Sequence, residues 1–330
     1  MRKIIIAVLM AGSVADAQTG FEIPMLGQAL PSRQFELVNH IPDSKLAQLP
    51  KELPVFKWSH EPRGFSSVAL EQLLRETAFA GTNLASFLHS SNDTTTVREP
   101  IKLASADNQN YFVVLPAGGR ITIRNAPDRT REAPPPDAVP SFDVTVQRAL
   151  RLAEMLGVST NEMERRPDGS IHVRKAEDTT RKLGGSVSYK SRRSVTLFRN
   201  IAGYLARGLD EDNIELELGV DGRLLKFNFK WPPLEVVSTN KVLNAAQIID
   251  RIKSGTTLGE VTNEYPADGI ARIELTDFQI FYYIPAPFPY GRDSTSGGNI
   301  RPMIEFLASF KSSKGETTEG GLFAPMLESP

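Results

Sequence analysis

The stretch GVDGRLLKFNFKW, residues 219–231, sets a Gly-Val-Asp-Gly turn before a run of strict alternation. In an extended strand Leu225, Phe227, Phe229 and Trp231 fall on one side, and Lys226, Asn228 and Lys230 on the other. The apolar side is either a platform for a ligand or the core face of a sheet. Burial of a large apolar side chain is worth about 2–3 kcal/mol, and four exposed ones would forfeit most of that. The alternation therefore predicts a core face with Trp231 under a helix, and a solvated face bearing the two lysines. Upstream, NIELELG (213–219) has the same period and supplies the hairpin partner, turned at Val220-Asp221-Gly222. A two-stranded hairpin is at best marginal in water by itself. The segment 144–156 supplies a cover: Val146, Ala149, Leu150, Ala153 and Leu156 form one helical stripe, and Gly157 ends it.

The same order, a helix followed by paired strands, recurs twice. An earlier helix at 67–80 carries Val68, Leu70, Leu73, Leu74 and Ala78, with Gly81 as the stop. Strands at 110–116 and 120–125 follow, joined through Ala117-Gly118-Gly119. A later helix at 245–254 has Ala245, Ile248, Ile249 and Ile252 as its stripe, with Asn244 and Gln247 at capping-box spacing. Strands at 270–276 and 279–285 follow it. The fold expected is α+β, built from tandem units of one helix packed on an antiparallel β-hairpin or sheet. The corresponding division is a signal peptide at 1–17, an extended lead-in at 18–60 ending in a short strand at 54–58, and units at 61–131, 141–238 and 239–330. The proline run within 132–140 is the linker, because consecutive prolines favour a stiff segment without ladder donors. Residues 291–299 and 311–321 read as loops.

The chain has 330 residues and a formal net charge of −1. Met1-Arg2-Lys3 precedes an apolar run from Ile4 to Gly12, and Ala15-Asp16-Ala17 places small residues before a cut at Gln18. That is the pattern of a secretory signal peptide; the run is far shorter than the about 20 residues a membrane span needs. The expectation is a secreted or extracytoplasmic protein with no membrane span after signal removal. Near-neutral charge disfavours a nucleic-acid partner. The absence of cysteine excludes disulfides, thiol nucleophiles, thiolate zinc sites and iron–sulfur clusters.

Local motifs for catalysis are wanting. His40, His60, His89 and His172 are scattered, with no H-E-x-x-H, and no G-x-S-x-G, P-loop or dinucleotide fingerprint occurs. GGSVSYKSRRS (184–194) reads as a polar hairpin, with Lys182, Lys190, Arg192 and Arg193 as an alternative anion-binding loop. GLDEDN (208–213) holds Asp210, Glu211 and Asp212 at spacing unlike an EF-hand, so it reads as a solvated turn. A carboxylate pair brought together by folding would serve a glycosidase without any local motif. Asn92 sits in an N-glycosylation sequon. The aromatic end FQIFYYIPAPFPYGR (278–292) is the best exposed surface, because adjacent tyrosines on a strand face opposite ways and the prolines bar a regular ladder. Tyr282, Tyr283, Phe288 and Tyr290 form the candidate binding surface. No catalytic, metal or cofactor-binding residue is assigned, and no cofactor is expected.

LNAAQIIDRIKSG, GIARIELTDFQIFYYIP, NIRPMIEFLASF and NIELELGVDGRLLKFNFKW resemble the repeat of PepSY-like and YycH/YycI-like exported bacterial proteins, over 141–310. The resemblance implies a non-catalytic protein that binds or restrains a peptidase or a sensor. This chain lacks the membrane helix of the YycH/YycI type and carries a long insert at 157–200, so tethering and sensor regulation do not carry over. The expected function is an exported, non-catalytic binding or inhibitory protein acting on a partner such as a peptidase. The alternatives are a secreted hydrolase of glycans or cell-wall polymers using a carboxylate pair, and a structural surface protein.

Overall fold

The Leu224–Lys230 strand lies at the centre of a seven-stranded antiparallel sheet. Across this first sheet the order is Ile101–Ala104, Tyr111–Leu115, Arg120–Arg124, Leu224–Lys230, Asn213–Leu218, Ser188–Phe198 and Val173–Arg181. The computed structural model describes residues 28–29, 35–84, 95–127, 138–181, 188–208, 213–254, 258–261, 269–285 and 298–328. Residues 1–17, expected to be a signal peptide, and Asn92 lie outside them.

Phe227, Phe229 and Trp231 are fully buried in one apolar cluster with Phe112, Val114, Ile121, Ile123, Val195, Leu197, Ile214 and Leu216. Two helices supply the other side of that cluster. Ser67–Arg75 is capped by the Ser66 side chain and contributes Ala69, Leu70, Leu73 and Leu74. Phe142–Met155 is capped by Ser141 and contributes Ala149, Leu152 and Ala153. The core reading of the aromatic face therefore holds, with one correction. The register shifts between Glu217 and Leu218, so Leu218 stands opposite Leu224. This bulge puts Leu224 in the cluster, while Leu225, also buried, packs at Gly219. The opposite face is not simply solvated either: Lys226 pairs with Glu215 at 2.6 Å and Lys230 is buried.

The tandem helix-on-hairpin architecture is overturned. The protein is mostly β, with four α-helices among the described residues and large antiparallel sheets. Arg120–Arg124 and Leu224–Lys230, expected in separate units, are hydrogen-bonded neighbours. The physical reason is the edge: two separate hairpins expose four ladders of unpaired backbone groups, and joining them side by side removes two.

The third unit is rearranged further. The strands expected at 270–276 and 279–285 are one strand, Arg272–Ile284, with a bulge between Leu275 and Asp277. Thr-Asp, which resembles a turn signal, marks that bulge: Asp277 Oδ1 accepts from the Phe278 N–H at 2.6 Å. The antiparallel partner is Arg301–Lys311, followed outward by Thr317–Pro325, Leu258–Val261 and Gln28–Ala29. The loop expected at 311–321 thus gives way to strand from Thr317 onward. On its other side Arg272–Ile284 pairs in parallel with Glu36–Asn39 at one end and Tyr204–Gly208 at the other. Asn200–Ile201 completes this second sheet.

The second core lies between this sheet, the Ala245–Lys253 helix and a two-stranded ribbon of Glu52–Trp58 with Leu234–Lys241. The expected capping box is present: Asn244 and Gln247 exchange hydrogen bonds of 3.0 and 2.9 Å. The chain crosses between sheets at Phe198-Arg199-Asn200 and at Trp231-Pro232-Pro233. The two crossings are tied by Arg199 Nη1 donating to the Pro232 carbonyl at 2.7 Å.

Candidate functional site

The two helices on the first sheet leave an open groove of about 770 Å³ between them. Leu152, Met155 and Val144 give it an apolar lining, and Gln72, Glu76, Arg148, Arg151 and Glu154 surround that lining with polar groups. Helix periodicity explains the arrangement. Ala149, Leu152 and Ala153 point into the sheet, and Arg148, Arg151 and Glu154 lie on the flanks. Val144, on the first turn, is 55% exposed. Glu76 and Arg148 form an ion pair across the groove, and Arg148 also donates to the Gly222 carbonyl at 2.6 Å. That second bond ties the groove to the turn of the central hairpin. A trough of this shape, open to solvent with an apolar floor, suits a segment of polypeptide more than an enclosed small molecule.

A second constellation surrounds the fully buried Trp231. The indole N–H donates to Glu162 Oε2 at 3.0 Å, and the Arg199 guanidinium lies over the ring, 5.2 Å from its centroid. Arg63 donates to the carbonyls of Trp231, Leu156 and Gly157, and sits over Phe229. Burial pulls the Arg63 pKa below the ordinary guanidinium value, Glu162 opposes that, and Arg199 adds to it. The cluster's hydrogen bonds run to backbone carbonyls and to Glu162, so it clamps the junction of the sheets.

The sequence-predicted surface is corrected. Tyr282 and Tyr283 do face opposite ways, but both faces of their strand are covered, so they are 0% and 4% exposed. Tyr282 packs edge-on to Phe56 and donates its hydroxyl to the Pro54 carbonyl at 2.9 Å. Burial, with Tyr204 alongside, pushes its phenol pKa well above the usual range. Tyr283 joins Phe281, Met303 and Phe323 in a small cluster on the other face. Phe288 and Tyr290 lie outside the described residues, as do Asp210, Glu211, Asp212, Lys182 and His89.

The 184–194 region is a hairpin across its described strands, Val173–Arg181 and Ser188–Phe198. Its cations are matched to acids rather than left for an anion. Lys190 and Arg193 pair with Glu177 at 3.3 and 2.6 Å, and Arg192 pairs with Asp178 and with Glu217. His172 contacts Glu164 at 2.9 Å, and His40 lies 3.9 Å from Glu274. Among the described residues no group of three His, Cys, Asp or Glu side chains is placed to hold a metal ion. None of them forms a helix long and apolar enough to cross a membrane.

The groove residues escaped the sequence reading because the polar ones are ordinary helix-flank residues and the apolar ones belong to a helix read only as a core-facing stripe. The local signal was Val144, Leu152 and Met155, apolar yet off the stripe of Val146, Ala149, Leu150, Ala153 and Leu156. Neither a protein-family model nor a curated protein matches the chain.

Proposed function

We propose that this chain is an exported, non-catalytic binding protein that grips a partner polypeptide in the groove between its two sheet-bound helices. The observation that carries the reading is the groove itself: an open trough of about 770 Å³ with Val144, Leu152 and Met155 in its lining and charged flanks. An apolar stripe on the partner would lie against the floor, and its charged groups would meet Arg151, Glu154 and Asp143. The PepSY-like resemblance, which implies a protein that restrains a peptidase or sensor, is in keeping with this. Export itself rests on the N-terminal pattern at 1–17.

The test is site-specific photocrosslinking from position 144 in protein expressed with its own leader, with position 253 as the control. The expected result is one crosslinked polypeptide from position 144, lost when Met155→Glu is added, and none from position 253. Equal capture from both positions, or none from 144, would end the proposal. Turnover of a glycan or peptide substrate that Glu76→Gln or Glu154→Gln abolished without altering the melting curve would replace it with the hydrolase reading.

A further inference from the structure

The face of the first sheet turned away from the helices has segregated charge, and strand register fixes the pattern. Lys102, Val113, Thr122 and Asn228 stand side by side in one row. The next row along the strands is Ala104, Tyr111, Arg124 and Lys226, and the row on the other side holds Leu115, Arg120 and Lys230. On these four strands the outer face thus carries five cations and no carboxylate, in a chain whose net charge is −1. The inner face of the same strands is Ile101, Phe112, Val114, Ile121, Ile123, Phe227 and Phe229, all core.

Two of the five cations are already engaged or enclosed: Lys226 pairs with Glu215, and Lys230 is buried. The other three are not. Lys102 and Arg124 are exposed and have no acidic partner within ion-pair distance among the described residues. Arg120 is half-buried, and its Nε is buried without a hydrogen-bond partner. The partly exposed remainder of this side chain is what a ligand on the face would meet.

Spacing then restricts the ligand. Arg120 and Arg124 are four residues apart on one strand, about 14 Å, and Lys102, two strands away, is about 12 Å from each. These are backbone spacings; with side chains standing roughly perpendicular to the sheet, the three charges are spread over a similar distance, which one small anion meeting its cations at about 3 Å matches poorly. An extended ligand with repeated charges matches it. Neutral hydrogen-bonding groups lie between the cations: Thr122, which donates to Asn228 Oδ1 at 3.4 Å, and Tyr111 beside Arg124. Tyr111 is the one aromatic side chain on these four strands' outer face, whereas single-stranded nucleic acid is held by several stacked aromatics.

We propose that this face binds an acidic polysaccharide, a polymer of sugars bearing carboxylate or sulfate groups, laid flat across the strands with its anions on Lys102, Arg120 and Arg124. Sugar hydroxyls then meet Thr122, Asn228 and Tyr111. The site lies on the opposite side of the sheet from the groove and stands independently of it.

The test is affinity electrophoresis of the full chain through gels containing polygalacturonate, which is carboxylated, or heparin, which is sulfated. The expected result is retardation by at least one polymer, weakening as salt rises, and the polymer that binds identifies the anion. Lys102→Glu with Arg124→Glu should lower that affinity at least tenfold, and the same positions changed to Gln should lower it less. Lys253→Glu, on a distant helix, should leave it unchanged. Retardation by neither polymer, or undiminished retardation of the double Glu variant at an unchanged melting temperature, would overturn the proposal. So would tighter binding to single-stranded DNA, or to phosphatidylglycerol–phosphatidylcholine vesicles, than to either polymer. Met155→Glu, which tests the groove, should not alter polysaccharide retardation, so either reading can fail alone.

Discussion

Replacing Trp231 with alanine tests the central packing argument most directly. The side chain is fully buried, so the substitution removes a large apolar surface and leaves a cavity between the sheet and its helices. Truncations of this kind typically cost about 3–5 kcal/mol. Two further losses belong to this site. Glu162 loses the indole donor at 3.0 Å, although its other oxygen still accepts from the Ser159 N–H at 3.1 Å. Arg199 loses the ring beneath it, a contact worth about 0.5–2 kcal/mol. The expected total is about 4–6 kcal/mol, against a usual domain stability of about 5–15 kcal/mol. Trp231→Phe keeps most of the apolar volume and forfeits the hydrogen bond to a carboxylate, so about 2–3 kcal/mol is expected. Urea melts followed by far-ultraviolet circular dichroism measure both, because the substitution itself removes one of the two tryptophans. A loss below about 1 kcal/mol for Trp231→Ala would refute the reasoning. If ligand or partner binding collapsed at the same time, the ring would be a platform after all.

Gly119 has φ of +54°, and an added Cβ would stand 2.5 Å from Pro232 Cα; Gly119→Ala should cost at least about 2 kcal/mol in the same melts. Gly169, also at positive φ but facing open space, should lose only about 1 kcal/mol on the same change, and equal losses would disprove the close-approach argument. The Lys45 hydrogen bond, helped by the Phe278 N–H, holds the Asp277 carboxyl below the ordinary aspartate range. A depressed folded pKa contributes stability that is present above the unfolded value of about 3.9 and is lost as pH falls through the folded one. The melting temperature of Asp277→Asn should therefore fall less steeply than that of the parent below about pH 4, with a smaller difference in high salt because both side chains are partly exposed. Parallel curves would show that the pair is not coupled to folding.

Much of the local structure could be read from the chain. Stripes and caps gave all three long helices to within a few residues, apart from the first, which the stripe carries to 80 but which ends at Arg75. Alternation gave the strands at 111–115, 120–124, 213–218 and 224–230. These are short-range effects: a cap or a turn answers to neighbours within four or five residues. The errors concern features that several distant segments settle together. Leu224 and Leu225 are equally apolar, and the bulge against Leu218 determines which one enters the core. Thr276-Asp277 suits a turn or a bulge equally, and the long Arg301–Lys311 strand beside it selects the bulge. Tyr282 and Tyr283 looked like surface because a strand was assumed to have one solvated face, whereas theirs lies inside a sheet covered on both sides.

By itself, then, the sequence determined the alternating core face of the central strands apart from the bulge, where the helices begin, and that no thiol chemistry is possible. It also carries the N-terminal export pattern. Only the tertiary structure decided which strands are neighbours: Arg120–Arg124 beside Leu224–Lys230, about a hundred residues on, and Tyr204–Gly208 parallel to Arg272–Ile284. Backbone hydrogen bonds carry no residue identity, so alternation states which way a side chain points and not which strand lies next to it. The groove and the basic face both arise from that choice of neighbours. The groove needs two helices brought together across one sheet. The basic face needs lysines and arginines from three strands set into register, with the first acids of that face, Glu215 and Glu217, one strand beyond.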